Sequence, residues 1–335
     1  MTKKTLRNTV LSVGLFGLAL GSSTSLAQAG PVSKLPARRP ASAAAQAASR
    51  SAKTMGAPTY SYTVLGYPGS LSANVNGINH GATTKIELVG AGGATGSQGF
   101  IASVTEKKTT TEKYQALNYP HVSTEVNPID INDSGQIVGT YLDSSGVSHG
   151  FERTGVKFTT LAVPFTGAAA TFPIANNDAG EIVGAWTDSS GATHAFTLIA
   201  GTYASFDYPG ATYTQANDVA SAGEIAGYYL DSSGVYHGYL LSGGTYTSID
   251  FPGSNFTIVT AINDAGTIAG VYCTTSECLS TSEGEVGFVL SSGVFTTFAI
   301  PGEFSTFIND MNNNGVLLGQ YIDAAGLAIS FIATP

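Results

Sequence analysis

Three stretches, Tyr-Thr-Ser-Ile-Asp-Phe-Pro-Gly (246–253), Ala-Ile-Asn-Asp-Ala-Gly (261–266) and Ile-Ala-Gly-Val-Tyr (268–272), form one phrase that returns along the chain. Its proline recurs as Pro68, Pro120, Pro164, Pro209, Pro252 and Pro301, at intervals of 52, 44, 45, 43 and 49 residues. Its second glycine recurs as Gly90, Gly139, Gly184, Gly227, Gly270 and Gly319. Periods of this length belong to solenoids, propellers and arrays.

Each repeat holds four short apolar–polar segments parted by turn residues, the pattern of a four-stranded propeller blade. The first segment ends in an Asn-Asp-x-Gly turn, which supplies turn-forming side chains and a φ > 0 position. The second ends in Asp-Ser-Ser-Gly at 143–146, 188–191 and 231–234, a hairpin signal. The third carries His-Gly-Phe or a variant of it. The fourth runs into Pro-Gly, and proline is tolerated on an outer edge strand. The last repeat ends at Phe331-Ile332 without its own outer strand, whereas a spare one, Tyr60–Tyr67, precedes the first. The phase therefore predicts an all-β, six-bladed β-propeller of four-stranded blades, closed by the N-terminal strand. An open β-solenoid is the competing architecture.

Three regions follow. Residues 1–29 read as a secretory signal peptide: Lys3, Lys4 and Arg7 precede an apolar run from Val10 to Leu20, then small residues. That run is too short for a membrane span. Residues 30–57, rich in Ala, Ser and Pro, read as a flexible linker. Residues 58–335 are the propeller, in a protein expected to be secreted or periplasmic and monomeric.

All 23 Asp and Glu lie in that body against six Lys and Arg, a net charge of −17. Such a surface excludes nucleic acid and anionic membranes, which need clustered cations. It admits cations, neutral sugars and basic proteins. Cys273 and Cys278 flank an enlarged loop, and in a secreted protein they are expected to form a disulfide.

The third-strand motif reads His149-Gly150-Phe151, His194-Ala195-Phe196 and His237-Gly238-Tyr239. Together with the Ile-Asn-Asp-x-Gly and Ile-Val-Gly segments, it resembles the HAF-type extracellular repeat family of bacterial secreted proteins. The resemblance implies a secreted propeller-like protein and brings no catalytic residues. Its histidines sit on third strands of separate blades, about 9–10 Å outside the inner strands, too far apart to share a metal. They are expected to bond to neighbouring turns.

Two sets of residues carry candidate chemistry. Tyr141, Trp186, Tyr229, Tyr272 and Tyr321 each follow the second-strand glycine by two residues. They are either core between blades or, with Trp186 foremost, a stacking surface for a glycan. Asp130, Asp218 and Asp310 occupy one inner-strand position in alternate repeats, where the others have Gly77, Ala175 and Ala261. The three carboxylates either bind backbone N–H groups locally or converge on calcium in the channel.

No nucleophile elbow, zincin motif or phosphate loop occurs. The expected function is a non-catalytic binding or scaffold protein for a glycan, an envelope or extracellular protein, or a divalent cation. The alternative is a polysaccharide hydrolase or lyase using carboxylates at the channel mouth. For that reading Glu277, Glu283 and Glu285 cluster near the cysteine loop.

Overall fold

A computed structural model describes Arg50–Ala52 and residues 60–66, 74–81, 85–92, 98–105, 113–120, 125–275 and 284–335. The signal peptide, most of the linker, Cys278, Glu277 and Glu283 lie outside the described residues. Strands β1 (Arg50–Ala52) and β2 (Tyr60–Val64) come first. One four-stranded sheet holds β3 (Asn74–Ile78), β4 (Lys85–Gly92), β5 (Gln98–Thr105) and β6 (Lys113–Leu117). A second holds β7 (Glu125–Ile131), β8 (Ile137–Leu142), β9 (Ser148–Thr154) and β10 (Lys157–Leu161). The chain continues with β11 (Ala168–Asn176), β12 (Ile182–Asp188), β13 (Thr193–Ile199) and β14 (Thr202–Phe206). The strands β15 (Tyr213–Val219), β16 (Ile225–Leu230), β17 (Tyr236–Ser242) and β18 (Thr245–Ile249) follow. A single parallel bridge, Thr193 to Tyr213, joins these two meanders into one eight-stranded sheet. The strands β19 (Phe256–Ile262), β20 (Ile268–Cys273), β21 (Val286–Ser291) and β22 (Val294–Phe298) form another four-stranded sheet. Last come β23 (Ser305–Met311), β24 (Leu317–Ile322) and β25 (Ala328–Thr334).

The architecture is an all-β propeller with four-stranded blades. Among the described residues the hydrogen bonds define five sheets, because the Thr193–Tyr213 bridge fuses two meanders. The strand expected to precede the first repeat is β2, and it pairs antiparallel with β25 from Ser61–Thr334 to Val64–Phe331. Tyr60 and Tyr62 pack edge-on to Phe298 and Phe331, at 5.2 and 6.3 Å. The expected linker is not wholly without structure: Arg50–Ala52 pairs with Tyr60–Tyr62. An outer strand with unpaired backbone groups is a template for such an addition. Among the described residues no helix is long and apolar enough to cross a membrane.

Burial falls from the axis outward. The second strand β20 is buried at every residue, whereas the outer strand β18 buries only Ile249. Every inner strand (β3, β7, β11, β15, β19, β23) also carries a bulge, for example between Ala216 and Asp218. The bulge accounts for the recurring second-strand glycine. A Cβ on Gly184 or Gly270 would strike the carbonyl oxygen of Phe172 or Ile258, on the inner strand beside it. The glycine also leaves room for the third-strand ring: Phe151, Phe196 and Phe288 stand opposite Gly139, Gly184 and Gly270 and are fully buried.

Candidate functional site: the central channel

The inner strands surround a channel with an empty volume of ≈ 580 Å³, solvent at its mouth included. The bulges decide what lines it. The extra residue in each bulge turns out of the alternating pattern, and these residues are Asn76, Ile129, Ile174, Asn217, Thr260 and Asn309. Four of them bond to the next inner strand. Asn76 Nδ2 donates to Pro128 O at 2.8 Å and Asn217 Nδ2 to Val259 O at 2.6 Å. Thr260 Oγ1 donates to Ile308 O at 2.8 Å and Asn309 Nδ2 to Val75 O at 3.1 Å. The isoleucines instead form an apolar patch with Ala185. Towards the start of the inner strands the wall is Gln215, Tyr228 and Ile258.

Asp130, Asp218 and Asp310 lie one residue further along, at 4, 3 and 8 % exposure. Each is a two-strand clamp. Asp130 accepts from its own strand at Ile131 N (2.7 Å) and from the next at Asn176 N (2.8 Å). Asp218 accepts from Val219 N (2.7 Å) and Ile262 N (2.6 Å), and Asp310 from Met311 N (2.7 Å) and Ile78 N (2.8 Å). These bonds match the expected local backbone role and extend it between blades. A side-chain carbon at Gly77 would lie 2.5 Å from Ile129 O and 2.6 Å from Asp130 Cα, so that position beside Asp130 admits only glycine.

Each carboxylate has a backbone donor on both oxygens, and among the described residues no group of three or more His, Cys, Asp or Glu is placed to hold a metal ion. Burial raises the pKa of all three carboxyls. Asp218 is pushed up to about 8, by burial first and then by the charge of Asp130.

His80 lies past this belt, in the turn where other repeats place Asp133, Asp178 and Asp264. It is 7 % exposed, and its ring makes no hydrogen bond among the described residues. Burial works to lower its pKa, but the carboxylates of Asp130, Asp310, Asp178 and Asp133 outweigh burial and raise it. His80 is the only cationic residue type at that turn position in the repeats, where the others have Asp133, Asp178, Ser221, Asp264 and Asn313.

The remaining acids and amides of the phrase are structural. Asn132 Oδ1 caps its own turn at Ser134 N and Gln136 N, while Nδ2 donates to Asn177 O of the next repeat at 2.9 Å. Asp178 Oδ1 accepts from Asp133 N at 2.8 Å, and Asp264 Oδ1 from Ser221 N at 2.8 Å. The histidines bond to the hairpin turns, as expected: His149 Nε2 meets Asp143 at 2.9 Å, and His194 and His237 approach Asp188 and Asp231 at 3.8 and 3.6 Å. His194 and His237 also bind Asp207 and Asp250 through Nδ1, at 2.9 and 2.7 Å.

The aromatic series belongs to the inter-blade core. Tyr141 stacks on Tyr119 (3.8 Å) and His149 (5.2 Å), and Tyr229 on Tyr208 (3.6 Å) and His237 (5.1 Å). Trp186 lies against Phe165 and His194 and donates from Nε1 to Ser205 Oγ at 2.9 Å. Tyr272 stacks on Phe251 at 3.5 Å, and Tyr321 packs beside Phe331. Tyr141, Trp186, Tyr229 and Tyr272 are only 7–9 % exposed and pack as core, the first of the two readings given for this series. Cys273 is disulfide-bonded, and the chain has one other cysteine, Cys278.

The sequence matches no family model and no curated protein. The fold is similar to that of Trypanosoma rangeli sialidase in complex with 2,3-difluorosialic acid, at 9 % identity and TM-score 0.52. That match covers 78 % of this chain and 54 % of the sialidase, so the chain spans about half the sialidase's length. It is similar too to the Aleuria aurantia lectin, at 10 % identity and TM-score 0.48 over 77 % of this chain and 91 % of that one. A third similar structure is the β-propeller domain of the Trilobed protease from Pyrococcus furiosus, at TM-score 0.45 over 84 % of this chain and 90 % of that one. At identities this low, the likeness concerns the fold alone.

Proposed function

We propose that this protein is a secreted, non-catalytic binding or scaffold protein whose ligand enters the central channel. In this reading the propeller has six blades. The eight-stranded sheet counts as two, and β2 completes the last blade and closes the ring. The pairing of β2 with β25 supports closure, as does the bond from Ile78 N to Asp310, which ties the first inner strand to the last. The HAF-type character of the repeat phrase supports secretion.

One observation carries the binding role. Among the described residues the recurrent Asp, Asn, His and aromatic side chains take part in bonds and stacks within and between blades, and the channel is a concave surface with convergent polar groups. The channel, walled by isoleucines and a few amides with carboxyls at one end, has the character of a small-ligand site. The alternative, a polysaccharide hydrolase or lyase, draws support from Glu285. That residue is 2 % exposed, its Oε1 has no hydrogen-bond partner, and burial pushes its carboxyl to about 7. An acid protonated near neutrality suits proton donation. A glycan array on the full-length protein, run beside a reducing-sugar assay, separates the two. Glycan capture without sugar release is the expected result. Sugar release that Glu285→Gln abolishes would establish the enzyme instead.

A further inference from the structure

The polarity of the channel narrows its ligand. The wall atoms bound by Asn76, Asn217 and Asn309 are backbone carbonyls, which only accept, so each amide nitrogen must face the wall. Asn76 Oδ1 and Asn309 Oδ1 are left without a donor among the described residues, and Asn76 is only 9 % exposed. Gln215 Oε1 is already used by Tyr213 OH at 2.5 Å. Beyond these oxygens lie three buried carboxylates.

No Lys or Arg lines the channel, and none occurs anywhere after Lys157. The cationic side chain within reach of the carboxylate belt is His80, one imidazole against three acids. Burial raises the pKa of all three acids, so a cation entering the space above them takes the place of protons that they otherwise hold. A bare calcium or magnesium ion would need about six oxygen ligands in one shell. The channel instead supplies scattered acceptors between Ile129, Ile174, Ile258 and the ring of Tyr228. Such a site suits a cation with a hydrocarbon or sugar body, which covers apolar wall while its N–H groups meet separate acceptors.

We propose that the channel binds a primary ammonium group, with its nitrogen directed to the Asp130, Asp218 and Asp310 belt and its body against Ile129, Ile174 and Ile258. This rests on the channel being the ligand site of the preceding reading. The ammonium can come from a free amine or from the unacetylated amino sugar of a glycan.

Calorimetry on the full-length protein tests it with butylammonium, glucosamine and N-acetylglucosamine, the last keeping the sugar ring without the charge. Butylammonium or glucosamine, or both, is expected to bind with a Kd of about 1 mM or tighter. N-acetylglucosamine should bind at least about tenfold more weakly than whichever amine binds, a gap of about 1.4 kcal/mol. Binding of butylammonium alone identifies a free amine as the source, and binding of glucosamine alone identifies an amino sugar. Ile174→Lys, which brings its own ammonium into the channel, should abolish amine binding. Unchanged amine binding in Ile174→Lys overturns the proposal, as does equal binding of glucosamine and N-acetylglucosamine. The wild-type comparisons decide the matter if that variant does not fold. Glycan capture on the array with no amine response would end the ammonium proposal and leave the binding reading standing.

Discussion

Asp130 Oδ2 accepts the backbone N–H of Asn176 at 2.8 Å, across 46 residues of chain and onto the next inner strand. Its other oxygen holds its own strand at Ile131 N, so one side chain fastens two blades. Asp130→Ala leaves two buried N–H groups without an acceptor, and each such loss costs about 1–3 kcal/mol. A destabilisation of about 3 kcal/mol in urea unfolding is expected. Ala175→Val, beside the clamp, should cost about 1–3 kcal/mol by overpacking. A neutral result for both would remove the clamp from the account of stability.

The same carboxylates set a pH dependence. Burial raises Asp130, Asp218 and Asp310, with Asp218 at about 8, and Glu285 at about 7. A raised pKa means that the folded state binds more protons than the unfolded one between the ordinary carboxylate value and the raised one. Stability therefore falls as pH rises through that window. His80, also raised, adds in the same direction, since its contribution is lost as pH climbs past its folded value. The melting temperature should be higher at pH 5 than at pH 8.5, and Asp218→Asn should flatten the difference. A melting temperature that climbs over this range contradicts the assignment.

Trp186 is the single tryptophan, which makes it a clean reporter. Held between Phe165 and His194, its emission should stay unchanged when sugars are added and shift to the red only on unfolding. Trp186→Ala should cost about 3–5 kcal/mol, as truncation of a buried ring does. Quenching by a sugar in the folded state would return the ring to the binding surface.

Removing residues 1–66 deletes β2 and with it Tyr60, Tyr62 and Leu65, all 5 % exposed or less. It also exposes the edge of β25, and an unpaired edge invites pairing between molecules. Size-exclusion chromatography should show the truncated protein forming larger species than the full chain does. A stable monomeric truncation would mean that β2 is dispensable.

The period and phase of the phrase were legible because each recurring residue has one physical task per repeat. Gly184 yields to the bulge carbonyl of Phe172, Asn132 caps its turn, and Asp143 binds the hairpin and His149. The channel lining was not legible. Strand alternation assigns faces by a count of two, and a bulge breaks that count, so Asn76 and Asn309 gave no sign of lining the axis. The alternating aspartates were visible, but whether they faced a ligand or the next backbone depends on a few ångströms that spacing does not encode. Likewise the aromatic series could be read as surface or core until the partner rings, Tyr119, Tyr208 and Phe251, were placed.

The clamps also give the ring a parity. Asp130, Asp218 and Asp310 follow one another at 88 and 92 residues, twice the length of the phrase. They reach onto the strands that carry Ala175, Ala261 and Gly77 at the matching position, so aspartate-bearing and small-residue repeats are complementary halves of one unit. A closed circle of such halves admits only an even number. Inserting or deleting one repeat would set two aspartates side by side or leave two gaps facing, whereas a pair could be added or lost without that clash. The clamped unit of this fold is therefore the doublet, although the sequence repeats the single phrase.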